Sequence, residues 1–297
     1  MSSESMKRII QMMKQQGPTL DLSDGADFKA NRRAMDDANK MMPLDQGITC
    51  SKDTFEGVAV EMLYPETPND GIILDIHGGA FIYGSLDTCR SYAAALARES
   101  NMRVYTVDYG LAPEHPFPKG VEDCFKVYQK ISEKYQNASI AVVGESAGAT
   151  LALSVGLMAK DRGIKMPSCV VAFSPCVSFV DDFPSRENNI STELIIPAGT
   201  IEKMKNLYIT EKDLKNPYAS PIYGDFSGYP PVKLVADEGE ILVDDTRVLE
   251  KKLRLAGVDV DCRIYEETFH TFANLAHLTE ESSKELTDTA KFILEHM

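Results

Sequence analysis

From about residue 57 the chain alternates short apolar runs with longer amphipathic stretches, and that rhythm limits the fold more than any other feature. Runs such as I-I-L-D-I at 72–76 and A-V-V at 141–143 have almost nothing polar to show to water. Strands of that kind are buried on both faces, which calls for a mostly parallel sheet with helices on both sides, an α/β architecture. The pattern predicts strands over 58–63, 72–76, 104–107, 140–143, 169–173, 232–236 and 261–265. It predicts helices over 88–99, 120–136, 147–162, 243–256 and 280–296.

Two segments break the rhythm. Residues 1–45 read as two amphipathic helices, with Met6, Ile9, Ile10 and Met13 sharing one face and Phe28, Met35 and Met42 another. A Met-rich face is usually core packing, although it also suits an adaptable binding surface. The second segment, about 177–215, carries Phe179, Phe183, Leu194, Ile195, Ile196 and Met204. The expected organisation is a helical cap segment at 1–45 and a main domain at 46–297 with a cap-like insertion at about 177–215. Such a cap would lie over the carboxyl ends of the strands, where ligands bind in open α/β sheets.

Composition narrows the function classes. A formal charge of −14 with no basic stripe disfavours nucleic acid and anionic membrane as partners. No apolar run approaches the roughly 20 residues of a membrane span. The start, M-S-S-E-S-M-K-R, lacks the apolar core of a secretion signal, so the cytoplasm is expected. Six scattered cysteines without a C-x-x-C pair, and no H-x-H or H-E-x-x-H cluster, point to no metal and no cofactor.

The sharpest chemical signal is G-E-S-A-G at 144–148, between the apolar run 140–143 and a good helix former. This is the strand–turn–helix setting of a nucleophile elbow, whose tight turn needs small residues two before and two after the serine. Ser146 is therefore the candidate nucleophile. The H-G-G-A stretch at 77–80 follows the run 72–76, where a loop can offer backbone N–H donors to an oxyanion, with the Ala147 amide completing the set.

A serine nucleophile needs a base. Of five histidines, His77 lies in the glycine loop, His115 in a proline-flanked turn, His277 inside or just before the last helix and His296 at the end of the chain. His270, in the loop after the last expected strand, is the remaining candidate and stands where the order serine, acid, histidine puts the base. The acid belongs in D-E-G-E-I-L-V-D-D, and chemistry does not choose among Asp237, Glu238, Glu240, Asp244 and Asp245.

Five ordered motifs, H-G-G-A-F (77–81), D-Y-G-L-A-P-E-H-P-F-P (108–118), G-E-S-A-G (144–148), N-P-Y-A-S-P (216–221) and S-G-Y-P-P (227–231), resemble the hormone-sensitive-lipase-like esterases of the α/β-hydrolase fold. The resemblance runs from about residue 57 to the end. It implies that fold with a small helical cap, a small-molecule ester substrate with short acyl groups, and a monomer or homodimer. It also implies Ser146 as nucleophile, His270 as base and the Gly78, Gly79 and Ala147 amides as oxyanion hole. Counting back from His270, it places the acid at Glu240, where the family usually has Asp. The chain departs again at Glu145, where Asp is common, and at Gly110, where Arg is frequent. An acyltransferase or amidase with the same triad, and a non-catalytic receptor on the same fold, are the competing readings.

Overall fold

The structure is a computed structural model and describes residues 2–17, 20–40 and 44–297. Met42, assigned above to an apolar helix face, lies outside the described residues. The chain begins with helices α1 (Glu4–Gln16) and α2 (Phe28–Lys40), then strands β1 (Ile48–Phe55), β2 (Val58–Pro65) and β3 (Ile72–Ile76). There follow α3 (Leu86–Ser100), β4 (Arg103–Val107), α4 (Lys119–Lys134), β5 (Ile140–Glu145) and α5 (Ala147–Asp161). After β6 (Cys169–Phe173) come α6 (Ser185–Asn188) and α7 (Thr200–Tyr208), then β7 (Val232–Asp237), α8 (Val243–Leu255), β8 (Val260–Tyr265) and α9 (Glu280–Glu295).

The strands form one eight-stranded sheet in the order β1-β2-β4-β3-β5-β6-β7-β8. β2 runs antiparallel to both neighbours and every other pair beyond it is parallel. The central strands are buried on both faces, as their apolar runs require. Ile72, Leu74 and Val142 face a layer containing α4, α5 and α8. Ile73, Ala141 and Val143 face α1, α3 and α9 on the other side. The Met6 face of α1 is packing surface: Met6 is fully buried, and Ile9, Ile10 and Met13 lie against the same cluster.

One strand was not expected. β1 reads I-T-C-S-K-D-T-F, is polar over much of its length, and pairs with β2 as a sheet edge with a wet face. Its signal was the turn: Glu56 and Gly57 both have positive φ, 51° and 82°. Such a two-residue connection matches the twist of a hairpin.

The N-terminal segment is tied down at both ends. Ser3 Oγ donates to Glu281 Oε2 of α9 at 2.7 Å. Arg32 of α2 donates to the carbonyls of Ile82 and Ala112 at 2.6 and 2.5 Å. Between the helices, the Leu22 carbonyl accepts from Lys203 Nζ of α7 at 2.7 Å. Among the described residues no helix is long and apolar enough to cross a membrane.

Candidate active site

Ser146 stands on the turn between β5 and α5 with φ 53° and ψ −121°, a conformation that an L residue holds only where its surroundings enforce it. The enforcement comes from two glycines. A Cβ on Gly144 would lie 2.2 Å from the Gly148 carbonyl oxygen, and one on Gly148 would lie 1.9 Å from that of Ile76. Ser146 N–H donates to the Phe173 carbonyl at 2.7 Å, anchoring the turn to β6. Ala147 is the first residue of α5, so its N–H has no intrahelical acceptor and lies at the positive end of the helix.

His270 arrives from the loop after β8 and Glu240 from the loop after β7; they are 3% and 1% exposed, so their contacts are shielded from water. His270 Nε2 is 2.9 Å from Ser146 Oγ, and Nδ1 is 2.6 Å from Glu240 Oε2. Burial by itself pulls the imidazole pKa down, but the hydrogen bond and charge of Glu240, with the charges of Glu193 and Glu145, raise it above 6.5. Burial pushes the Glu240 carboxyl up while the hydrogen bond and charge of His270 draw it back.

The other acids of that loop are engaged elsewhere. Asp237 accepts from Thr268 and Gly239, and Glu238 pairs with Arg247. Asp244 accepts from Ser185 N–H at 2.9 Å and pairs with Arg247. Asp245 forms a buried pair with Arg186 and accepts from Val177 N–H. Only Glu240 of these five reaches an imidazole.

The glycine loop is held by side chains on both flanks. The His77 ring stacks on Tyr109 with centroids 4.3 Å apart, and Tyr109 Oη donates to the His77 carbonyl at 2.9 Å. His77 Nδ1 donates to the Gly78 carbonyl at 2.8 Å, and burial pushes its pKa down to about 4, so the ring is neutral. Gly78 N–H donates to Glu145 Oε1 at 2.8 Å. This corrects one expectation: the Gly78 amide is committed to a carboxylate and is not open to an oxyanion. The Gly79 and Ala80 amides have no acceptor among the described residues.

Against Ser146 and Ala147 lies a cavity of about 10 Å³ lined by Leu20, Ala80, Phe81, Cys176, Ile196 and Met204, among others. That is the space of about one water molecule. Ile196 and Met204 come from the segment expected to cap the site. Leu20 carried no sequence signal, whereas Cys176 follows β6 at the carboxyl end of the sheet. Gly110 occupies a spot where a Cβ would lie 2.8 Å from Lys119 Cγ and 3.0 Å from His115 Cβ, so an arginine there would need both to move.

The chain is similar along most of its length to known α/β-hydrolase-fold proteins. The family model described as alpha/beta hydrolase fold matches residues 73–274. An esterase from Acinetobacter venetianus is 30% identical over 266 residues, covering 89% of this chain and 88% of that protein. An acetyl-hydrolase from Streptomyces hygroscopicus is 30% identical over 213 residues, 71% of each chain. Among solved structures, an esterase of the bacterial hormone-sensitive lipase family superposes with a TM-score of 0.91 at 28% identity, covering 100% of this chain and 99% of that one. A hormone-sensitive lipase from a metagenome library does so with a TM-score of 0.91 at 27% identity over the full length of both. With two thirds of its length matched by the family model, the chain belongs to the α/β-hydrolase fold family, in its hormone-sensitive-lipase-like branch of carboxylic ester hydrolases.

Proposed function

We propose that the protein hydrolyses short-chain carboxylic esters, acetyl to about hexanoyl, through an acyl-enzyme on Ser146. The observation that carries this reading is the continuous hydrogen-bonded run from Ser146 Oγ through His270 to Glu240. His270 Nε2 takes the hydroxyl proton as Oγ attacks the ester carbonyl, and Glu240 holds the imidazole in the Nδ1–H tautomer and stabilises the imidazolium. The oxyanion is met by the Gly79 and Ala147 amides, with the uncommitted Ala80 amide beside them. His270 returns its proton to the departing alcohol, and water, activated by the same imidazole, releases the acid.

The wall beside Ser146 is apolar, with Leu20, Phe81, Ile196 and Met204, which favours a hydrocarbon acyl chain over a charged group. In this reading residues 1–45 and the insertion at about 177–215 form the cap, supported by the placement of Leu20, Ile196 and Met204 in the cavity wall and by the Lys203–Leu22 hydrogen bond. All six cysteines are free thiols, the state that a reducing cytoplasm maintains.

The test is hydrolysis of p-nitrophenyl acetate, butyrate, octanoate and palmitate by the wild type and by Ser146→Ala. Turnover of the short esters that vanishes in the variant supports the reading. Turnover retained in the variant, or a maximum at palmitate, overturns it. Adding an alcohol or amine as competing acyl acceptor separates hydrolysis from acyl transfer.

A further inference from the structure

We infer that Glu145 is a positioning residue that acts through the Gly78 N–H to aim the oxyanion loop, an inference that rests on the serine-esterase reading above. Two consecutive peptide planes lead from Glu145 to the amide that is to meet the oxyanion. The first joins His77 to Gly78: its N–H donates to Glu145 Oε1 at 2.8 Å and its C=O accepts from Tyr109 Oη at 2.9 Å. The second joins Gly78 to Gly79, and its C=O accepts from His77 Nδ1 at 2.8 Å. In a trans peptide the N–H points opposite to the C=O, so the Gly79 N–H must face away from the His77 ring. Each plane is gripped by a side chain, and Glu145 grips the first from the floor of the nucleophile turn itself.

The contact is steric as well as polar. A Cβ on Gly78 would lie 2.8 Å from the Glu145 carbonyl oxygen and 2.9 Å from Oε2, so the loop rests directly on this residue. Glu145 is the last residue of β5, paired with Phe173 of β6, and immediately precedes Ser146. One rigid strand end therefore sets both the serine and the loop that faces it. On its other side the carboxylate borders a cavity of about 350 Å³ with Asp75, Tyr92 and Asn274. The cavity lining contains no lysine or arginine that would compete for the carboxylate. An aim error of about 1 Å in such a donor is enough to cost on the order of 100-fold in rate.

The experiment compares wild type, Ser146→Ala, Glu145→Leu and Glu145→Gln in p-nitrophenyl acetate hydrolysis, in binding of an alkyl trifluoromethyl ketone, and in thermal melting. The ketone adds the serine hydroxyl to give a tetrahedral oxyanion and so reports the donors directly. Leucine keeps the bulk and removes the acceptor: kcat is expected to fall about 100-fold or more, with KM within about threefold and ketone affinity falling in step. Glutamine keeps an oxygen but removes its charge, and a neutral acceptor is weaker, so both quantities should fall about 3- to 10-fold together. If the leucine variant does not fold, the glutamine variant decides by the same paired readout. Unchanged kcat and ketone affinity in a folded variant overturns the inference, as does a fall in kcat with ketone affinity intact. Turnover that survives Ser146→Ala brings down the esterase reading and this inference with it. Turnover lost in Ser146→Ala yet indifferent to both Glu145 variants brings down this inference alone.

Discussion

Glu240 Oε2 stands 2.6 Å from His270 Nδ1, inside a site that excludes water from both groups. Glu240→Gln offers an amide in place of the carboxylate and leaves the imidazolium unsupported, so kcat on p-nitrophenyl acetate should fall by roughly 10³–10⁴. Asp244→Asn, which touches Ser185 and Arg247 and has no contact with His270, should leave kcat within about threefold. Steady-state kinetics on the two variants separates the acids; equal losses would remove Glu240 from its place.

The pH profile follows from the direction of the His270 shift. The base works only when neutral, so kcat/KM must decline as the pH falls through the imidazole pKa of the free enzyme. Because Glu240, Glu193 and Glu145 hold that pKa above 6.5, the acid limb should bend above the ordinary imidazole value. In Glu240→Gln the main raising influence is gone while burial still pulls down, so the residual activity should bend at lower pH. A bend that does not move would mean that another group controls the limb.

Met204 closes the cavity beside Ser146 and is 4% exposed. Met204→Ala should lower stability by about 2–5 kcal/mol, the usual cost of emptying a buried site. It should also shift the acyl-length optimum upward, since each methylene that finds room is worth about 0.8 kcal/mol, or several-fold in kcat/KM. Urea unfolding and the p-nitrophenyl ester series measure the two effects separately.

His77 carries a stability signature distinct from catalysis. Its pKa is pushed from 6.5 to about 4 by burial in the folded chain, so between those values the unfolded state binds the additional proton. Stability must therefore drop as the pH falls through that window, by about 2 kcal/mol from pH 7 to pH 5 for this residue alone. His77→Gln should remove that share: urea unfolding at the two pH values should show a smaller loss than in the wild type. An identical loss would place the acid sensitivity elsewhere.

What the sequence determined by itself is what depends on short-range pattern. The seven expected strands fall within two residues of their observed ends; the central runs are too apolar for any setting but a covered sheet, whereas D-C-R-I-Y at 261–265 is a half-buried edge. The turn around Ser146 was legible because only glycine fits at 144 and 148. His270 followed from chain order. The acid loop was located but the acid was not chosen by chemistry alone: five carboxylates within nine residues look alike until a fold gives four of them other partners. β1 went unseen because an edge strand needs no apolar alternation, only a neighbour to pair with. Tertiary structure decided the direction of single backbone groups as well. Gly78 and Gly79 are indistinguishable as letters, yet one amide is spent on Glu145 and the next is left open, because a side chain from β5, 67 positions along the chain, reaches the first and not the second. Hydrogen-bond partners so distant in sequence are set by packing of the whole sheet, which no local pattern encodes.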